Sequence, residues 1–195
     1  MGTRRGTVRL IGGEHGGRKV HFQDRYGALR PTSDRLRETL FNWLQFELPG
    51  ARVLDLFAGS GALGAEALSR GAEQAVLIER ARALCVDLEK QLKPLFEERL
   101  DIVHGDALDW LARHDGVFDL VFVDPPYDLK LQAKACNALE SGGFLAEDAL
   151  IYVESDLHAP APAVPANWMV EREKSGGDVR ALLYRRNQPG GAWDA

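Results

Sequence analysis

Residues 51–79 read ARVLDLFAGSGALGAEALSRGAEQAVLIE, and this stretch decides the fold. RVLDLF (52–57) is an apolar run of strand length. GALGAEALSRG (61–71) has helix-forming residues on a helical repeat and a glycine stop at Gly71. QAVLIE (74–79) is a second apolar strand. Two strands joined by a short crossover helix pair in parallel.

The same unit recurs downstream. ARALCVDLEKQLKPLF (81–96) reads as a helix, with Pro94 expected to mark a break. LDIVHGD (100–106) is a strand and ALDWLARH (107–114) a helix. FDLVFVD (118–124) is a strand, LQAKACNALES (131–141) a helix and ALIYVES (149–155) a fifth strand. This alternation predicts a parallel sheet wound on both faces. The end departs from it: after HAPAPAVPAN come WMVEREK and VRALLYRR around SGGD, an antiparallel hairpin expected at the edge of the sheet.

Upstream, TVRLIGGEHGGRKVHF (7–22) predicts a β-hairpin around Gly-rich turns. RPTSDRLRETLFNWLQFEL (30–48) predicts a helix with Thr32, Ser33 and Asp34 as candidate N-caps. Its apolar stripe is Leu36, Leu40, Phe41 and Leu44, and it stops before Pro49-Gly50. The expected organisation is a basic β-hairpin extension over 1–30, a catalytic-type α/β domain over 31–186 and a disordered tail over 187–195.

Charge is unevenly placed. Residues 1–37 hold nine Arg/Lys against three acids, a net of +6, while the other 158 residues hold 15 against 26, a net of −11. A basic arm on an acidic body predicts a polyanionic partner held at one end. Arg4, Arg5, Arg9, Arg18, Lys19 and Arg30 are the candidate phosphate contacts. Arg35 and Arg37 lie about 200° apart on a helix, so at most one shares the aspect of Arg30; either could instead pair with Asp34 or Glu38. Cys85 and Cys136, the two cysteines, fall within expected helices without metal or redox spacing and read as reduced core thiols. The five histidines show no ligand spacing, so no metal is expected. No run is long or apolar enough to span a membrane, and the start lacks a signal-peptide core. The cytoplasm is the expected compartment and a monomer the simpler oligomeric state.

Ligands of open α/β sheets bind outside the carboxyl ends of the strands, and four of those ends carry acids or glycines. Gly59, Gly61 and Gly64 fit G-x-G-x-x-G after the first strand, a pattern that brings backbone N–H groups close to a cofactor. Glu79 ends the second strand, placed to accept ribose hydroxyls. Asp106 ends the third, placed to accept from an exocyclic amine such as that of adenine. Together these predict an adenosine-bearing cofactor, contacted by Asp55, Phe57, Ala58, Gly59, Ser60, Gly61, Glu79, Arg80, Asp106 and Ala107. Asp55 argues against a dinucleotide, whose pyrophosphate it would repel, and for a ligand with a cationic amino group, S-adenosylmethionine. The other reading of Asp55 is a carboxylate tied to backbone N–H groups of the loop.

The fourth strand ends VFVDPPYD (121–128). An exocyclic amine is a poor nucleophile because its lone pair is delocalised into the ring. Asp124 and the carbonyl of Pro125 could hold its N–H groups so that the lone pair turns towards a methyl donor. Pro125-Pro126 fixes those acceptors through locked φ angles. Tyr127 offers a stacking ring, worth ~1–3 kcal/mol at comparable base-binding sites. The plain alternative is a strand-ending turn with a capping Asp.

DPPY resembles the motif of methyltransferases that modify planar nitrogens. With RLIGGEHGGRKV, LRPTSDRLRETLFNWL, LDLFAGSGALGAEALSRGA, VFVDPPY and ALIYVES, the chain resembles, over nearly its whole length, the bacterial 16S ribosomal RNA guanine-N2 methyltransferases of the RsmD type. The resemblance implies a class I S-adenosylmethionine-dependent methyltransferase fold, Rossmann-like, with a mainly parallel seven-stranded sheet. It implies as target the N2 amine of a guanine in 16S rRNA, in a hairpin loop near the P site, methylated on the small ribosomal subunit or an assembly intermediate rather than on bare RNA. The family's cofactor motif falls on Asp55, Gly59, Gly61 and Glu79, and its target-amine motif on Asp124 to Tyr127. Many relatives carry Phe at the last position, and either ring stacks. Competing expectations are a DNA adenine-N6 enzyme, which lacks here the insert needed to read a duplex, and a protein glutamine methyltransferase, which would typically carry Asn in place of Asp124. An NAD-dependent oxidoreductase is disfavoured by Asp55 and DPPY, and a non-catalytic RNA-binding assembly factor stays open.

Overall fold

The computed structural model describes residues 4–24, 32–126 and 129–187. Its elements are β1 (Arg4–Arg9), β2 (Lys19–Asp24), α1 (Asp34–Trp43), β3 (Arg52–Asp55), α2 (Ala62–Ser69), β4 (Gln74–Glu79), α3 (Arg82–Phe96), β5 (Leu100–His104), α4 (Ala107–Leu111), β6 (Phe118–Val123), α5 (Gln132–Ser141), β7 (Leu145–Asp156), β8 (Trp168–Gly176) and β9 (Val179–Arg186). The expected tail lies, from residue 188 on, outside the described residues, as do Arg30 and Tyr127.

Seven strands form one sheet in the order β5-β4-β3-β6-β7-β9-β8. β5 to β7 run in parallel, β9 is antiparallel to β7, and β8 is antiparallel to β9. The C-terminal hairpin therefore enters with its second strand innermost. The order reverses between β3 and β6, and the crevice outside that point is where this architecture binds ligands.

Alternating strand residues feed two cores. One face carries Val53, Leu77, Phe122 and Tyr152 against Leu36, Leu40, Phe41 and Leu44 of the α1 region, Leu68 of α2 and Leu88 and Phe96 of α3. The other carries Leu54, Ile78, Val121 and Val153 against Trp110 of α4 and Cys136 and Leu139 of α5. Both cysteines are free and buried. Among the described residues no helix is long and apolar enough to cross a membrane.

Helix α3 does not break at Pro94. It runs to Phe96 because Leu88, Leu92 and Phe96 repeat every four residues on its buried side. A proline in the last turn removes only one backbone bond, and the chain leaves the helix three residues later, at Glu97 with φ 50°. β7 starts at Leu145, four residues before the expected strand, since Phe118 already pairs with Leu145 across a register shift. At α1, Ser33 is the N-cap; its side chain accepts from the Leu36 N–H.

A two-stranded hairpin is marginal alone, and β1–β2 is held down along its length. Val8 and Phe22 pack on Ala62 and Leu84. The fully buried Glu66 of α2 accepts the Ile11 and Gly12 N–H groups at 2.6 and 2.8 Å. Gly13 sits at φ +75°, and a Cβ there would come within 1.8 Å of the Ser69 carbonyl oxygen, so the turn seats on α2 only with glycine. Arg37 is buried; its Nη2 donates to Asp34 Oδ1 and to the Arg9 carbonyl, tying α1 to the hairpin, while Arg35 is exposed.

Candidate active site

The loop after β3 is threaded between two neighbouring strand ends. Leu56 N–H donates to the Phe122 carbonyl of β6, and Ala58 N–H to the Ile78 carbonyl of β4. Gly61 caps α2 at φ +71°, where a Cβ would come within 2.7 Å of a Leu88 methyl. Glycine thus supplies both the left-handed turn and the close helix approach. Phe57 is half-buried, and Ala58, Gly59 and Ser60 are buried behind it.

Glu79, at the end of β4, clamps this loop: its Oε2 accepts the Gly59 N–H at 2.9 Å and its Oε1 the Ala81 N–H at 2.6 Å. Each oxygen keeps a further lone pair for a ligand hydroxyl. Burial pushes its carboxyl up, opposed by those N–H groups. Asp55, 2% exposed, accepts the Gly64 N–H at 3.1 Å. Burial raises it to about 7, with the charges of Glu79 and Glu154 adding and the Gly64 and Phe57 N–H groups opposing. The backbone tie expected as the alternative role is present, on one oxygen. Asp106 caps α4, its Oδ1 accepting from Leu108 and Asp109 N–H; Oδ2 accepts from none of the described residues. Arg80 is exposed beside it, its carbonyl bonded to His104 Nε2, and Ala107 is buried.

Parallel register brings the remaining groups together. Asp55 is opposite Phe122, and Phe122 opposite Tyr152. Asp124 follows Val123 and Glu154 follows Val153, which are themselves paired, so Asp55 and Asp124 at the ends of β3 and β6 stand beside Glu154, two residues before the end of β7. They share one face, since side chains two apart point the same way. Burial is the main cause that raises Asp124 well above the usual carboxylate range, with the Glu154 and Asp55 charges adding. Pro125 is buried and Pro126 exposed.

Glu154 was not among the residues singled out by sequence. It is 2% exposed, and its Oε1 accepts from Thr32 Oγ1 at 2.6 Å and Tyr152 Oη at 2.8 Å. Gln132 of α5 donates to its carbonyl. Burial raises its pKa, opposed by the two hydroxyls. The signal that found Asp55, Glu79 and Asp124, an acid closing an apolar strand, was present in ALIYVES too. Thr32, expected as a cap, closes the site instead.

Among the described residues no cation pairs with Asp55, Asp124 or Glu154, and no cluster is arranged to hold a metal ion. Uncompensated carboxylates beside a glycine loop fit a ligand that carries positive charge and hydroxyls, as S-adenosylmethionine does.

Of the candidate basic residues, Arg4, Arg5, Arg9, Arg18 and Lys19 belong to the hairpin, and Arg30 lies outside the described residues. Arg9, Arg18 and Lys19 are exposed, and Arg9 pairs with Lys19 across the ladder. Arg4 and Arg5 are strand positions of β1. The hairpin docks on α3 through Gln91, whose Oε1 accepts the His21 N–H and whose Nε2 donates to the His21 carbonyl.

The chain is similar to known proteins over most of its length. Residues 8–185 match the family model described as conserved hypothetical protein 95. The chain is 49% identical to the ribosomal RNA small subunit methyltransferase D of Escherichia coli (strain K12), over 95% of this chain and 93% of that one. Against the Haemophilus influenzae protein of the same name the identity is 40%, over 93% and 95%. The solved structure of the Escherichia coli protein yhhF superposes with a TM-score of 0.83 at 48% identity, covering 93% of this chain and 99% of that chain. The chain belongs to the conserved hypothetical protein 95 family, with these small subunit ribosomal RNA methyltransferases D.

Proposed function

We propose that the protein transfers a methyl group from S-adenosylmethionine to the exocyclic N2 amine of a guanine in 16S rRNA, in the cytoplasm, on the small subunit or an assembly intermediate. The observation that carries this reading is the meeting of Asp124-Pro125-Pro126 with the glycine loop at the β3/β6 reversal of strand order. The names of the relatives support small-subunit rRNA as the substrate class, and the motif resemblance set out above supports guanine N2.

When bound, the sulfonium supplies an activated methyl, so the chain's task is alignment and proton removal. Asp55 and Glu79 fix the loop and face the donor's cationic and hydroxyl groups. Asp124, with the Pro125 carbonyl, holds the amine N–H groups and turns the lone pair outward; Asp124 then takes the proton that leaves. Tyr127 stacks on the base. Arg4, Arg5, Arg9, Arg18, Lys19 and Arg30 contact phosphates, giving affinity without sequence information and a steep fall of binding with salt. The hairpin is seated on α2 and α3, so Arg9, Arg18 and Lys19 would hold the RNA on the same unit that carries the cofactor loop.

The test is transfer of labelled methyl from S-adenosylmethionine to small subunits lacking the modification, with bare rRNA and DNA in parallel. Label recovered as N2-methylguanosine from subunits, and lost in Asp124→Ala with donor binding retained, supports the reading. Label in another nucleoside, or in DNA alone, sinks it.

A further inference from the structure

The site holds one carboxylate more than amine alignment and donor binding require. Asp124 has the target amine and Asp55 the donor's cationic end, while Glu154 has neither. It is nevertheless buried within β7, two residues before its end, next to the strand end that carries Asp124, and two hydroxyls converge on one of its oxygens. One of those hydroxyls, from Thr32, is delivered from 122 residues away by the segment that leads into α1. A structural carboxylate of this fold looks different: Glu66, equally buried, is met by two backbone N–H groups and the Arg70 guanidinium. Neutral hydroxyls hold Glu154 in place and leave its charge uncancelled.

We propose that Glu154 is the second carboxylate of the methyl-transfer site, a positioning residue that is aimed by Thr32 and Tyr152 and whose negative charge beside Asp124 makes Asp124 a stronger base towards the target amine. The proposal rests on the methyl-transfer reading above. Two adjacent carboxylates resist ionising together, so each binds a proton more tightly while the other is charged. The proton balance then closes inside the site. A nitrogen–carbon bond forms, the carbon–sulfur bond breaks with its electron pair left on sulfur, and the nitrogen–hydrogen bond breaks with its pair left on nitrogen. The proton passes to Asp124 as the sulfonium charge disappears, so the carboxylate pair loses one negative charge when the neighbouring ligand loses its positive one. Solvent receives the proton when the products leave.

The ionisable groups that face this pair are few. Asp124 meets Glu154 from β7 and Asp55 from β3, and Asp55 in turn meets Glu79 from β4. The Tyr152 phenol donates to Glu154, while the segment before α1 and α5 contribute only the neutral Thr32 hydroxyl and Gln132 amide among the described residues. Burial pushes all three carboxyls of the trio up, in line with the geometry.

Glu154→Gln keeps an acceptor for both hydroxyls and removes the charge. The expected result is an acid limb of the single-turnover rate displaced downward by about one pH unit, and a plateau rate lower by about tenfold because a weaker base faces the amine. The KM for S-adenosylmethionine stays within about twofold. Thr32→Val leaves Glu154 in place but removes one donor to its charged form, and it moves the limb the same way by less. A second readout needs no RNA: the Asp124 titration followed by carboxyl carbon NMR in the S-adenosylhomocysteine complex, where both variants lower the midpoint. An unmoved limb and an unmoved midpoint overturn the proposal, whatever the loss of rate, since that is what a packing role alone produces. Digests of the same reactions identify the methylated nucleoside. A product other than N2-methylguanosine therefore overturns the target assignment while the titration still judges Glu154.

Discussion

Two polar clusters built around buried or half-buried carboxylates sit at different parts of the sheet, and they are built in opposite ways. At the outer edge, Glu140 of α5 accepts from Arg186 through Nε and Nη2, from the Trp168 indole and from Asn167. These partners outweigh its desolvation and hold its carboxyl down at about 2. At the carboxyl ends of β3, β6 and β7, Asp55, Asp124 and Glu154 have hydroxyls and backbone N–H groups but no cation among the described residues, and all three are pushed up. The edge cluster is complete without a ligand, so its charge stabilises the fold. The central cluster is complete only when something positively charged arrives, so its charge costs stability and is available for binding and chemistry.

The sharpest way to break that contrast is Asp124→Asn, which keeps shape and removes the base. Methyl transfer should fall by about 10³-fold while donor affinity holds and the melting temperature does not fall. A large loss of stability instead would place Asp124 with the edge cluster. Next in size is Glu66→Ala, a third kind of buried acid, satisfied by the Ile11 and Gly12 N–H groups and Arg70. Urea unfolding should show a loss of about 3 kcal/mol, and proteolysis should cut the freed hairpin first. Retention of hairpin protection would show that apolar packing of Val8 and Phe22 suffices.

Asp55→Asn tests the cost of the central cluster directly. The folded-state pKa of Asp55 lies near 7, above its ordinary 3.8. A raised carboxylate means that the native state binds more protons than the unfolded state between those values, so wild-type stability declines as pH rises from about 4 to 7. The ligand-free Asn variant should therefore be more stable than wild type at pH 8, by on the order of 2 kcal/mol, with the difference gone below pH 4. Its affinity for S-adenosylmethionine should drop as its stability rises. A variant less stable than wild type at pH 8 would mean that the Gly64 hydrogen bond outweighs desolvation.

The sequence carried one of these clusters far better than the other. Apolar runs of strand length and helical apolar repeats marked the strands and helices of the sheet, and acids closing apolar runs marked Asp55, Glu79 and Asp124. Glu154 bears the same mark in ALIYVES, but β7 runs on past it to Asp156, and its place in the site shows only once Thr32 and Tyr152 are seen to converge on it. Thr32 and Glu66 were illegible for a different reason: their partners lie 122 and about 55 residues away, and no local pattern encodes such a meeting. In GALGAEALSRG, Glu66 even looks like the solvent side of an amphipathic helix, and only the docked Gly-rich turn buries it. The Glu140 site was missed likewise, since Trp168, Asn167 and Arg186 reach it from two later strands' ends. Local patterning wrote the elements and the strand-end acids; long-range hydrogen bonds decided which acids are satisfied.

The smallest effect sharpens the comparison from the edge side. Glu140→Gln retains an acceptor for Trp168 and Asn167 and loses the charge opposite Arg186. Its side chain is about one-fifth exposed, so solvent screens part of the pair and the expected loss at pH 7 is about 1 kcal/mol. The pH dependence runs opposite to that of Asp55. A carboxyl depressed from 4.5 to about 2 contributes stability above pH 4.5 that fades as pH falls towards 2, because the unfolded state then takes up the proton first. The deficit of the Gln variant should therefore be constant from pH 8 to 5 and shrink below 4.5, where the Asp55→Asn gain has likewise vanished. Denaturant midpoints of the two variants against pH should separate at neutrality, one above wild type and one below, and converge in acid. Parallel curves would mean that neither substitution acts through its charge, and the division between a satisfied edge and an unsatisfied centre would fall.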